Sequence, residues 1–206
     1  MPRSLLPLRA LAALLALALA LPLRALSVLP PTAEQLVATA DTIVRGVVTD
    51  VRTEEFDSPQ GRGIRTLVTL RVERALKGAA GDTVTLSLLG GKAGRRTLRV
   101  VGMPVFQVGD RQIVFFAANG STICPLIAGG HGRYHVRRDA AAGRDYIARD
   151  NGVPLESTDE ISVPLAAAPP VALARLKPAA AALSLAAFEE KIAGTVTQQA
   201  QLIREP

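Results

Sequence analysis

Tryptophan is absent, cysteine occurs once, histidine twice, and five Phe and two Tyr are the only aromatics in 206 residues. Each scarcity excludes something. A single cysteine, Cys124, rules out a disulfide within the chain, and its distance from the N-terminus rules out a lipid-modified cysteine there. Paired Cys-x-x-Cys zinc ligation has no residues to use. The shortage of aromatics leaves basic residues without the stacking platforms that single-stranded nucleic acid needs, so a pI of about 10.2 does not point to a nucleic-acid partner. A long apolar run is missing too. The run Leu11–Leu21 holds eleven Leu and Ala residues before Pro22. At helical rise it reaches about 16 Å, against the roughly 30 Å of a bilayer core.

What is present at that end is an export pattern. Arg3 and Arg9 supply a basic start, Leu11–Leu21 the apolar segment, and Ala18 with Ala20 an A-x-A match for a signal peptidase, with Ala25 a second site. The sequence therefore predicts a signal peptide over residues 1–25 and a secreted or periplasmic product without a stable membrane anchor. Removal of that segment takes Arg3, Arg9 and Arg24, half of the formal +6 charge. A chain of this size can bury an adequate core without covalent staples.

After Pro30-Pro31, Thr32 and Gln35 have capping-box spacing and predict a short helix to about Ala40. From Thr42 to Arg52 the residues turn β-branched with apolar positions on both faces, and Gly46 in the middle suggests a bend or bulge. Glu54–Gly63 reads as a polar loop. Strands are expected over Arg65–Arg74 and Thr83–Leu89, where apolar residues alternate with Thr, Ser, Arg and Glu. Shorter ones are expected over Thr97–Val101, Gln112–Ala117, Thr122–Ile127, Arg133–Arg138 and Asp145–Arg149, punctuated by Gly and Asp. No long helix separates them, which argues for antiparallel pairing in a barrel or sandwich. The β domain is placed at 32–150, and a Pro- and Ala-rich linker at 151–182. A C-terminal amphipathic helix follows over 183–204, capped by Ser184, with Leu185, Phe188, Ile192 and Val196 on one stripe.

No chemical motif survives inspection. Cys124 lies in an apolar run between Ile123 and Pro125, where a packed thiol is the default. A catalytic thiol needs a neighbouring His and a group to orient it, and nothing in the sequence brings His131 or His135 to the sulfur. The two histidines share a strand face at a spacing of four but lack two further zinc ligands. Gly90-Gly91-Lys92-Ala93-Gly94 fails the phosphate-loop pattern at Leu86 and Ala93. Gly129-Gly130-His131-Gly132 has no Gly-x-Ser-x-Gly elbow to serve. Asn119-Gly120-Ser121 fits a glycan acceptor and a hairpin turn equally.

Ala40–Val48, Val68–Gly78 with its Lys77-Gly78, Val84–Leu86 and Val108–Phe116 with Gly109-Asp110 together resemble the netrin-type module. That is the module of the inhibitory domain of tissue inhibitors of metalloproteinases, and the pattern is similar to that of secreted bacterial proteins of unknown role. The likeness covers residues 33–127 and implies a mainly β, OB-like antiparallel β-barrel with flanking helices. The inhibitors chelate the protease zinc through an N-terminal Cys-x-Cys, and the stretch near Leu26-Ser27 has no Cys, so the mechanism is not carried over.

The expectation is an exported, non-catalytic binding module that recognises a protein or an anionic envelope component and uses no cofactor or metal. Its candidate contact residues are Arg95, Arg96, Arg99, Arg111, Arg133, Arg137 and Arg138, provided that they gather on one face. Alternatives are a thiol-dependent hydrolase centred on Cys124 and a companion or inhibitor of a secreted protease.

Overall fold

The computed structural model describes residues 29–58, 61–165 and 177–202. The predicted signal peptide, and 166–176 of the predicted linker, lie outside the described residues. The first element, α1 (Ala33–Thr39), begins with the expected capping box. The Gln35 amide donates to Thr32 Oγ1 at 3.2 Å and the Thr32 amide to Gln35 Oε1 at 3.0 Å, so two amides free at a helix start are satisfied.

Eight strands follow: β1 (Thr42–Ser58), β2 (Gly61–Lys77), β3 (Thr83–Leu89), β4 (Gly91–Ala93), β5 (Arg96–Leu98), β6 (Arg111–Phe116), β7 (Arg133–Asp139) and β8 (Arg144–Arg149). Six form one antiparallel sheet in the order β3-β2-β1-β6-β7-β8, and β4 with β5 makes a separate hairpin. The fold is mainly β, with helices near both ends. Gly46 sits at one of the register shifts between β1 and β2. A Cβ there would come within 2.6 Å of the Arg71 carbonyl oxygen, so the bend needs glycine.

Apolar residues on both faces of β1 produce two cores. On one face Ile43, Ile113, Phe115, Tyr134, Val136 and Ile147 pack against Leu36 and Val37 of α1 and against Phe188 and Ile192 of α2 (Leu185–Leu202). Tyr134 stacks between Phe115 and Phe188, at ring separations of 5.7 and 5.1 Å. On the other face Val44, Val48, Val68, Leu70, Leu86, Leu88 and Val114 pack with Phe106 and Leu126 from the connecting segments. Ser184 Oγ accepts from the Ala187 amide, and Leu185 and Val196 flank the buried stripe of α2, so this helix docks on the sheet.

Five expectations need correction. The sheet is not closed into a barrel, because both of its edge strands are already covered. On β3 the Asn119 side chain takes the place of a neighbouring strand, accepting from the Ser87 amide (3.0 Å) and donating to the Thr85 carbonyl (2.7 Å), while Leu89 N–H donates to Ile123. On β8, Ile147 and Arg149 donate to Leu183 and Val153. The predicted strand Thr122–Ile127 therefore forms only a single bridge, Phe116 to Leu126. Strand 97–101 shrinks to β5.

The predicted loop Glu54–Gly63 is instead the far end of a β1–β2 hairpin, because its charges complement each other across the ladder. Glu54 lies opposite Arg65 and Asp57 opposite Arg62, with ion pairs at 2.6 and 3.5 Å, and Arg65 rests over the Phe56 ring. In the segment read as a linker, Val153, Leu155 and Ile161 are buried, and Leu155 and Ile161 join the helix-side core.

Candidate functional site

The seven arginines proposed from sequence do not share a face. Arg111 and Arg138 belong to a helix-side network in which every carboxylate is shared. Arg45 and Arg111 both donate to Glu73 Oε2 (2.9 and 2.7 Å), and Arg111 and Arg138 to Asp145 (2.6 and 3.1 Å). Glu189 of α2, only 4% exposed, takes Arg45 and Arg74 at 2.5 and 2.8 Å. Burial works against the Glu73 carboxylate, yet the hydrogen bond and charge of Arg111, with those of Arg45, hold its pKa below the usual value. The Arg138 hydrogen bond, with help from Arg111, likewise lowers Asp145. Arg45 and Arg74 hold helix to sheet through Glu189, and Arg111 and Arg138 are occupied in linking strands.

Arg133 lies on the opposite face and is buried. It pairs with Asp150, donates to the Val105 carbonyl at 2.6 Å and stacks on the Phe106 ring at 4.6 Å. Its work is to fasten the segment between β5 and β6. Arg137 is exposed on β7. Arg96 reaches Glu55 at 3.1 Å, whereas Arg95 and Arg99, on and after the β4–β5 hairpin, make no ion pair with a described residue. The list thus splits into structural cations and a small group around that hairpin.

The Cys124 thiol is half-buried and its pKa is raised by that burial; the charges acting on it are Arg133 and Asp150. Neither histidine is among them. His131 and His135 are both buried, and burial, with Arg149 for the first and Arg133 and Arg137 for the second, lowers their pKa values despite Asp150. The Nδ1 of His131 has no hydrogen-bond partner among the described residues. A thiol whose pKa is raised by burial, with neither imidazole acting on it, lacks the activation that a catalytic thiol needs. Among the described residues no three His, Cys, Asp or Glu side chains are grouped as metal ligands. The Asn119 amide is engaged on β3 through its Nδ2, the atom that a glycan would occupy.

The concave feature that sequence reasoning missed lies at the far end of the β1–β2–β3 layer. An open cleft of about 590 Å³ has Val51, Val68 and Leu88 as its floor. The β4–β5 hairpin and the segment Arg99–Phe106 form its walls, including Leu98, Val100, Met103 and Val105. Val101 is 94% and Val105 75% exposed, unusual for neighbours on one apolar segment. The charged residues lining the cleft are Lys92 and Arg99; no acid lines it. The only signal in the sequence was the apolar run Val100–Phe106, interrupted by Gly102 and Pro104, which an interior strand does not tolerate. A second hollow of about 650 Å³, lined by Phe56, Arg65, Leu89 and Ile123, lies at the same end of the hairpin.

No helix among the described residues is long and apolar enough to cross a membrane. No family model matches the chain, and no curated protein matches it.

Proposed function

We propose that this chain is an exported, non-catalytic binding module whose recognition site is the cleft between β1–β2–β3 and the Arg99–Phe106 segment. One observation carries the reading: Val101 and Val105 stand exposed at a cleft whose charged lining is purely cationic, while Arg96, Arg111, Arg133 and Arg138 are committed to carboxylates. Exposed apolar surface rimmed by uncommitted charge marks an interaction site in a folded domain. The partner is accordingly apolar in part and negatively charged, either a protein or an anionic component of the envelope. Nucleic acid fits poorly, since no aromatic platform accompanies the cations. No acid, base or nucleophile converges on the cleft, so binding without turnover suits it better than the thiol-hydrolase alternative.

Release into the periplasm or medium is the location that the basic start, short apolar run and A-x-A site support. The netrin-type resemblance enters this reading as a scaffold only. Its zinc-chelating mechanism has no Cys near Leu26-Ser27 to use.

Capture from an envelope extract by the immobilised protein, repeated with Val101→Asp, tests the reading. A component retained by the wild type and lost with the variant is the expected result. Turnover on a panel of hydrolase substrates that Cys124→Ala abolishes, with nothing captured, overturns it.

A further inference from the structure

The cleft adjoins a stretch of backbone that, among the described residues, is hydrogen-bonded on one side only. Val48 is the last residue of β1 bonded away from β2: its N–H donates to Asp110 (2.9 Å) and its carbonyl accepts from Gly109 (2.8 Å). From residue 50 to 57 no described backbone group other than those of β2 bonds to the β1 main chain. Such an edge is a row of unspent N–H and C=O groups and a template for another extended chain. The two outer edges of the sheet, on β3 and β8, are already covered.

Val51 and Thr53 belong to the open stretch and also line the cleft. Side chains on a strand alternate between faces, so a segment laid along this edge turns every second side chain toward the cleft side of the sheet. There it meets the exposed Val101 and Val105, with Lys92 and Arg99 as the charged lining. A second copy of the same edge is a poor occupant. Asp50, Glu54, Glu55 and Asp57 outnumber Arg52 on it, and self-pairing brings like charges together. An anionic lipid satisfies the cleft's apolar lining and its cations but leaves the strand edge unused.

We propose that the partner is a protein bound through an extended segment: it adds to β1 along residues 50–57, seats alternate apolar side chains in the cleft and presents a carboxylate to Lys92 and Arg99. This rests on the cleft being the recognition site, and adds how it is used and by what class of ligand.

A phage-displayed library of random peptides, panned against the protein, supplies the probe. Enriched sequences should place apolar residues two apart with an Asp or Glu nearby. A synthetic copy should slow amide exchange across residues 50–57 without slowing 43–48. Val101→Asp and Arg99→Glu, both at exposed positions, should each weaken it by roughly tenfold or more. Failure to enrich any sequence overturns the proposal, as does a peptide whose binding leaves exchange at 50–57 unchanged or is unaffected by Val101→Asp. Phosphatidylglycerol vesicles that bind the wild type but not Val101→Asp, with no peptide enriched, assign the cleft to lipid instead. Should the component captured from an envelope extract be lost with Val101→Asp yet leave β1 exchange unaltered, strand addition fails while the cleft survives as the site. Its retention by Val101→Asp removes the cleft reading altogether.

Discussion

Strand β1 runs through two environments, and the contrast separates what holds this protein together from what it offers to others. From Thr42 to Val47 it lies between β2 and β6. There Ile43 and Val44 are fully buried, one in each core, and Arg45 is pinned by Glu73 and Glu189. Beyond Val48 β2 is its one strand partner among the described residues, Glu54 and Glu55 pair with Arg65 of β2 and Arg96 of β5, and the nearby cleft presents exposed valines with Lys92 and Arg99. Both halves are β-strand by hydrogen bonding, but only the first is secured from both sides. A region with few buried apolar contacts and open backbone groups has low local stability, the usual place for a binding element.

The sharpest way to test the division is to damage each half and ask what is lost. Phe188→Ala removes a fully buried ring packed on Tyr134 against the first half. It should cost about 3–5 kcal/mol in denaturant unfolding, while a shortfall well below that would mean that α2 is not part of the core. Arg133→Leu strikes the link between the halves, since this side chain ties Asp150 to the Val105 carbonyl and Phe106. A loss of roughly 3–5 kcal/mol is expected for an ion pair broken in a buried setting, together with faster amide exchange from Arg99 to Phe106. Unchanged exchange there contradicts the fastening role.

Acid should weaken the paired half selectively. His131 and His135 have folded pKa values below the ordinary 6.5, so the unfolded chain takes up protons first as pH falls. The stability that they contribute is complete above that value and is lost as pH drops through their folded values. Glu73 and Asp145, held below 4.5 and 3.8, add a second loss in stronger acid. Melting curves at about pH 7.5 and 5.5 should show the first step, and His131→Asn with His135→Gln should flatten it. The smallest effect on folding belongs to Val101→Asp, within about 0.5 kcal/mol of wild type because the side chain is 94% exposed. Its consequence should appear in binding alone.

Local patterns carried most of the fold. The Thr32/Gln35 cap, the alternation over Thr83–Leu89 and the stripe Leu185, Phe188, Ile192 and Val196 each depend on neighbours in sequence, and each forms as written. Glu54–Gly63 was misleading because its polar residues look like a loop until Arg62 and Arg65 are placed opposite Asp57 and Glu54, which only the hairpin register does. Barrel closure was equally illegible. It fails through Asn119, whose side chain lies 34 residues from Thr85 in sequence and blocks the edge of β3. The arginines were visible as charges but not as partners, so Arg111 and Arg133 looked available until Glu73, Asp145 and Asp150 were brought to them. The cleft escaped because its floor, Val51, Val68 and Leu88, comes from three strands that only the sheet brings together beneath the 91–106 stretch.

The two halves of β1 can be compared most directly by residue-level amide hydrogen exchange over 42–58, in the free protein and with a cleft-selected peptide bound. The account predicts strong protection from Ile43 to Val48 in both states, and rapid exchange at the outward-facing amides between 50 and 57 that slows only when the peptide is bound. Equal protection of the two halves in the free protein, or a bound peptide that leaves 50–57 unchanged, would contradict it.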